Sequence, residues 1–265
     1  MNGLLHISDT HFGTEVPEVV AALQQLVLQL RPMAVLLSGD ITQRATRAQF
    51  RAARRFIEQL DVPRVLLLPG NHDIPLFDLL GRSLAPYRRY REELAQGPLE
   101  GVHDLPGLRL IRVKSTRRRR HIDGELSGRQ ISRVARALRE SPEDALRIVV
   151  THQPLWVDRA SDAHNVCHGA DGALAAWREA GADLLLAGHI HWPFACRVEG
   201  QRPLWAINAG TALSSRVRDG VPQSCNLLSW DPAQPRYGAQ LQRWDYHGPA
   251  RGFVAVAHTR LHVDP

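Results

Sequence analysis

Lysine is almost missing from this chain: Lys114 is the only one, and arginine carries nearly all of the positive charge. The net charge of +6 and a pI of about 9.9 would suit a polyanionic partner. A bias this uniform toward one basic residue also follows from genome composition, so the charge is weak evidence for nucleic-acid binding. Cysteine is scarce too. Cys167, Cys196 and Cys225 are odd in number, far apart and form no C-x-x-C pair, which argues against a zinc ribbon or a redox centre and leaves ordinary thiols. No apolar run reaches about 18 residues, so no segment is expected to span a bilayer. The opening MNGLLHISDTH lacks the basic and long apolar regions of a secretory signal. A cytoplasmic location with no membrane partner is the expectation. Missing as well are a G-x-S-x-G elbow, a Walker-type glycine loop with its lysine and a G-x-G-x-x-G turn.

What is present is a core-forming composition, 44% hydrophobic over 265 residues, enough for one sizeable globular domain. The first part alternates strand and helix signals. Leu4 to Ser8 reads as a strand, and helical spacing runs from Val16 to Leu30 until Pro32. Ala34 to Leu37 is a second strand, Thr46 caps a helix whose inner face carries Phe50, Ala53, Ile57 and Leu60, and Val65 begins a third strand. Three such units argue for an α/β layered sheet. Further on, Ser83 to Leu94, Leu126 to Glu140 and Gly172 to Ala180 are expected helices. Leu108 to Val113, Arg147 to Val150 and Asp183 to Ala187 are expected strands. Beyond Pro193 the segments turn strand-like, separated by Glu199-Gly200 and Asp231-Pro232 turns, and residues 194–265 are expected to complete a second sheet.

The informative pattern lies where apolar strands stop. VLLLPGNHD, from Val65 to Asp73, delivers Asn71, His72 and Asp73 at the mouth of a buried strand. Four other strands do the same, ending in Asp9 and His11, Asp40, His152, and His189 with His191. Any one of these has a plain structural explanation as a turn, a cap or a satisfied core histidine. Five together do not. Ligand sites in α/β sheets gather at the carboxyl ends of strands, and imidazoles with carboxylates suit first-row transition metals. Seven ligand groups are too many for one ion and fit two. Glycine precedes the polar group three times, at Gly39, Gly70 and Gly188, where close backbone approach or unusual φ is useful.

The ordered set Asp9-Thr10-His11, Gly39-Asp40, Gly70-Asn71-His72-Asp73, His152 and Gly188-His189-Ile190-His191 resembles the calcineurin-like metallophosphoesterase family. The stretch from Ala209 to Leu228 resembles the tail of its bacterial phosphodiesterase-like members. The resemblance implies a four-layer αββα sandwich, two mixed β-sheets flanked by helices, with all motifs inside residues 1–193 of a single domain. It implies a binuclear metal centre of manganese, iron or zinc, in which Asp9, His11 and His191 hold one ion, Asn71, His152 and His189 the other, and Asp40 bridges. His72 would face the phosphate as the catalytic group, and Asp73 would orient His72 or a neighbouring ligand. The implied reaction is attack by a metal-bridging hydroxide on a small phosphodiester, a cyclic nucleotide or a glycerophosphodiester. Two rival readings remain: a nuclease or nucleotide pyrophosphatase, and a non-catalytic scaffold on the same fold. Lys114 and the arginines up to His121 form a basic loop that favours a more highly charged substrate if it overhangs the metals, and is otherwise a solvated surface loop, as charge runs usually are. His164 and His168 are read as substrate-loop or surface residues.

Overall fold

A computed structural model describes residues 2–94, 97–120, 122–218 and 220–263. His121 of the basic loop and Asp219 of the tail stretch lie outside the described residues. The first half contains β1 (Asn2–Ile7), α1 (Pro17–Leu30), β2 (Ala34–Leu37), α2 (Arg47–Glu58) and β3 (Val65–Leu67). It continues with α3 (Leu79–Leu84), α4 (Arg88–Glu93), β4 (Gly101–Leu105), β5 (Leu108–Arg112) and α5 (Gly128–Arg139). Then come β6 (Leu146–Val150), α6 (Ala170–Glu179), β7 (Leu184–Ala187), β8 (Phe194–Arg197) and β9 (Trp205–Asn208). The last strands are β10 (Ser224–Trp230), β11 (Gln240–Tyr246) and β12 (Phe253–Arg260).

Local chemistry sets several of these boundaries. Pro17 opens α1 at the position where its missing N–H costs nothing, and Arg31 ends it in the left-handed conformation. The Thr46 side chain accepts from the Gln49 backbone at the start of α2, as the sequence predicts. Ser127 and Gln130 form a capping box at the start of α5. The expected helix from Ser83 to Leu94 is instead two short helices with Pro86 between them. Proline lacks the donor and bars its predecessor from helical geometry, so the helix breaks there. β4 has no alternating apolar pattern to announce it and pairs with β5 as a hairpin.

The strands form two mixed sheets. The first runs β12-β11-β10-β1-β2-β3 and the second β4-β5-β6-β7-β9-β8. β1, β2 and β3 are parallel, as are β5, β6, β7 and β9. Residues beyond 193 do not all go to the second sheet: β8 and β9 do, while β10, β11 and β12 extend the first through β1. The edge of β1 accepts β10 antiparallel, with Leu4 opposite Leu228, which buries the apolar side of both strands.

Three apolar cores separate four layers. One packs α1, α2 and α4 on the first sheet through Leu23, Phe50, Phe56 and Tyr90. A second lies between the sheets, where Leu36, Leu110, Ile148, Leu186 and Trp230 meet. The third seats α5 and α6 on the second sheet through Val134, Leu138 and Trp177. Burial raises the thiols of Cys167 and Cys196 to about 12, so they are packing groups, not nucleophiles. Trp177 is fully buried and donates its indole N–H to the Ile131 carbonyl. Trp177→Ala is expected to cost about 3 to 5 kcal/mol in urea-monitored unfolding. A loss below about 1 kcal/mol would mean that the α5–α6 layer contributes little.

Candidate metal centre

The loops that follow β1, β2, β3, β6 and β7 come together where the carboxyl edges of the two sheets meet. Backbone bonds set their spacing: Asp9 N–H donates to the Gly39 carbonyl at 3.0 Å, His11 N–H to the Asp40 carbonyl at 2.9 Å, and Gly188 N–H to the His152 carbonyl at 3.0 Å. Two glycines make the approach close enough. A Cβ on Gly70 would lie 2.1 Å from the Asp40 amide nitrogen, and one on Gly39 would lie 2.3 Å from His152 Nδ1. Asp9, His11, Asp40, His189 and His191 all have left-handed backbone, φ between 42 and 72°. Such strain in non-glycine residues persists only where the surroundings over-determine it.

All seven candidate ligands converge. Ligand-type atoms of Asp9, His11 and His191 lie within 4.8 Å of one another, as do those of Asp40, His152 and His189. Asn71 joins the second group, its Oδ1 3.2 Å from His152 Nε2. Asp40 faces both groups, with Oδ1 3.2 Å from His152 Nε2 and Oδ2 3.8 Å from His11 Nε2. His191 Nε2 stands 3.2 Å from Asp9 Oδ1.

The hydrogen bonds around these groups fix which atoms are left facing inward. His152 Nδ1 donates to the Ser38 carbonyl at 2.9 Å, and His191 Nδ1 donates to the Arg216 carbonyl at 2.7 Å. Rings so held turn Nε2 toward the carboxylates, where it offers a lone pair once deprotonated. Asp9 Oδ1 and His189 Nδ1 are buried without a hydrogen-bond partner. Lone pairs opposing lone pairs in a buried hollow repel one another unless a cation lies between them, and this donor set fits two metal ions. Burial pushes His11 and His189 down to about 3, which keeps both neutral and ligand-competent. For His152 burial acts in the same direction, but Asp40 and Asp9 outweigh it and lift the group to about 9. Burial opposes ionisation of Asp9 and Asp40 as well, yet His191 and His152 hold the two carboxylates below their usual range.

His72 borders the hollow. Its backbone N–H donates to Asp40 Oδ1 at 2.8 Å, its Nδ1 donates to the Gln43 carbonyl at 2.9 Å, and its ring meets His11 edge-on at 4.9 Å. Asp73 is a support, though not of the His72 ring. Its carboxylate accepts from the backbone of Ile41 at 3.1 Å, Thr42 at 2.8 Å and Gly70 at 2.8 Å. It thus clamps the loop that carries Asp40 to the loop that carries Asn71. Burial and the neighbouring Asp40 raise its pKa to about 6.

Arg216 escaped the sequence reading. Its Nη1 donates to Gln43 Oε1 at 3.0 Å and lies 3.4 Å from both His72 Nε2 and His11 Nδ1. Its only sequence signal is membership of the Ala209 to Leu228 stretch. A groove of about 490 Å³ opens beside His189 and His191, walled by Ser161, His164, Arg216 and Arg218. Arg218 donates to Asp162 at 2.8 Å and to the Ile190 carbonyl at 3.0 Å. His168 is elsewhere, against Asp123 and Arg120. The basic loop also turns away: Arg117 bonds Gln130, Arg120 bonds Glu125 at 3.0 Å, and Arg118 bonds the Ser83 carbonyl.

Imidazoles and carboxylates gathered at the joined edges of two packed sheets define a class of hydrolase that works through paired metal ions. A family profile described as calcineurin-like phosphoesterase matches residues 4–193, and the chain belongs to that family of metal-dependent phosphoric ester hydrolases. A probable cyclic nucleotide phosphodiesterase of Rhodococcus erythropolis is 26% identical over 252 residues, 85% of this chain and 78% of that protein. A cAMP/cGMP dual specificity phosphodiesterase of Mycobacterium tuberculosis is 28% identical over 252 residues, covering 85% of this chain and 74% of that protein. A dimetal phosphatase from Danio rerio has the same fold, with a TM-score of 0.65 at 13% identity and 99% of each chain covered.

The raised pKa of His152 has a measurable consequence. Near neutral pH its Nε2 holds a proton, because the folded-state pKa of about 9 lies above the pH, and a metal ion must displace it. Calorimetric titration with Mn²⁺ in buffers of different ionisation enthalpy is expected to show net proton release, with affinity rising as pH approaches about 9. Binding without proton release would contradict this arrangement.

Proposed function

We propose that the protein is a binuclear phosphodiesterase for a small substrate, a cyclic nucleotide or a glycerophosphodiester. In this reading Asp9, His11 and His191 would hold one ion, Asn71, His152 and His189 would hold the other, and Asp40 would be shared by both. The observation that carries it is Asp40 itself, a buried carboxylate with one oxygen turned toward each cluster. Manganese, iron and zinc all suit the donor set. When bound, such ions would supply Lewis-acid charge and lower the pKa of coordinated water toward about 7.

The protein's own groups do the rest. Gln43 holds the His72 ring through Nδ1, and Nε2 lies on the side of Arg216, 3.4 Å from its Nη1. Protonated at Nε2, His72 gives a proton to the departing alkoxide, which is a poor leaving group without one. The Arg216 guanidinium, held by Gln43 beside His72 and His11, pairs with a phosphoryl oxygen. The adjoining groove receives the substituent of the second ester. A diester carries one negative charge, which one guanidinium matches, and the names of the curated relatives point the same way. The outward course of the basic loop weighs against the nuclease and pyrophosphatase reading. The full set of ligand-type side chains weighs against a scaffold.

Two variants test the reading on manganese-loaded protein. Asp40→Ala is expected to abolish hydrolysis of bis(p-nitrophenyl) phosphate and cyclic nucleotides and to reduce the bound metal measured by mass spectrometry; retained turnover would overturn the site. His72→Ala is expected to keep its metal and lose about 10² to 10⁴ in kcat on alkyl diesters, with a smaller loss on p-nitrophenyl esters. An equal loss on both substrates would remove His72 as the proton donor.

A further inference from the structure

We propose that α3 and the arginine loop beside it form a docking surface for an anionic lipid bilayer. The proposal does not rest on the phosphoesterase reading. Four large apolar side chains stand out of the protein within eight positions: Phe77, Leu79, Leu80 and Leu84 are 80, 70, 76 and 83% exposed. No residue of α3 is buried. A six-residue helix has no intrinsic stability in water and ordinarily exists because one of its faces is packed. Here polar bonds hold it instead, with its leucines outward. The Asp78 carboxylate accepts from the Gly81 backbone at 2.8 Å and pairs with Arg89 at 2.7 Å, and Arg82 Nε donates to the Arg118 carbonyl at 2.8 Å. An exposed apolar group of this size marks a place where something else binds.

Charge identifies the occupant. Arg118 returns a bond to the Ser83 carbonyl, so the loop and α3 are one surface. Arg88, Arg118 and Arg119 are exposed, and no acidic side chain among the described residues pairs with them. Acidic neighbours are already matched: Asp78 by Arg89, and Asp123 and Glu125 by Arg120. A second copy docking by two-fold symmetry would bring this guanidinium rim against itself. An anionic bilayer satisfies both features, with acyl chains taking the leucines and Phe77 and headgroup phosphates taking the arginines. Such binding lies on the surface and needs no spanning segment, and no described helix is long and apolar enough to cross a membrane. It revises the expectation of no membrane partner. Arg44 adds a further guanidinium to this surface, 5.7 Å over the Phe77 ring.

Vesicle co-sedimentation tests this with the full chain. The protein is expected to pellet with phosphatidylcholine vesicles containing phosphatidylglycerol, less with phosphatidylcholine alone, and less again at high salt. Arg118→Glu with Arg119→Glu is expected to lower partitioning by roughly thirtyfold or more, from about 1 kcal/mol for each basic residue lost. Leu80→Asp with Leu84→Asp is expected to abolish binding with an unchanged thermal midpoint, since both positions are exposed. No binding to anionic vesicles, or equal binding to both lipid compositions, would overturn the proposal. So would a dimer in sedimentation velocity that the leucine pair disrupts while vesicle binding is absent.

Discussion

Everything at the functional end of this protein depends on electron pairs forced to face one another. Asp9, Asp40 and four imidazoles point into one buried hollow, and backbone carbonyls at Ser38 and Arg216 hold two of the rings with Nε2 inward. A proton on His152, whose pKa Asp40 and Asp9 lift to about 9, relieves part of that repulsion. The fold is built to keep this unfavourable gathering in place, and the left-handed backbone at five ligand-type residues shows the mechanical side of the same constraint.

The support comes from two sheets. β1, β2 and β3 bring Asp9, His11, Asp40 and Asn71, while β6 and β7 bring His152, His189 and His191. The apolar layer between the sheets sets the distance from one half of the centre to the other. Asp73 locks two loops of the first sheet through backbone amides, so that Asp40 and Asn71 are positioned as a pair. A carboxylate that looks like a third member of the G-N-H-D active group is in fact a structural clamp.

Most of the fold and nearly all of the centre were legible in the sequence, because each ligand follows a short apolar strand and the period of the pattern identifies strands well. What was not legible has a common cause. Arg216 reaches His11 across 205 positions, and nothing near either residue in the chain marks the contact. The division of the last strands between sheets depends on which edge is open, a property of the assembled layers. In one dimension the basic loop reads either as a substrate clamp or as a solvated surface loop, and in three its arginines bond Glu125, Gln130 and the end of α3. The leucines of α3 follow an apolar pattern that ordinarily means core, and only their exposure separates them from it.

The antiparallel pairing of β1 with β10 joins the second residue to Trp230, and this bears on how the protein is made. As the chain leaves the ribosome, its first strand waits for a partner more than two hundred positions behind it, and two ligand histidines and Arg216 arrive almost as late. Contacts so distant in sequence form slowly. The two halves of the candidate centre therefore meet only after β7 and the Arg216 loop have been made, and until then the emerging apolar strands depend on α1 and α2 to shield them from other chains.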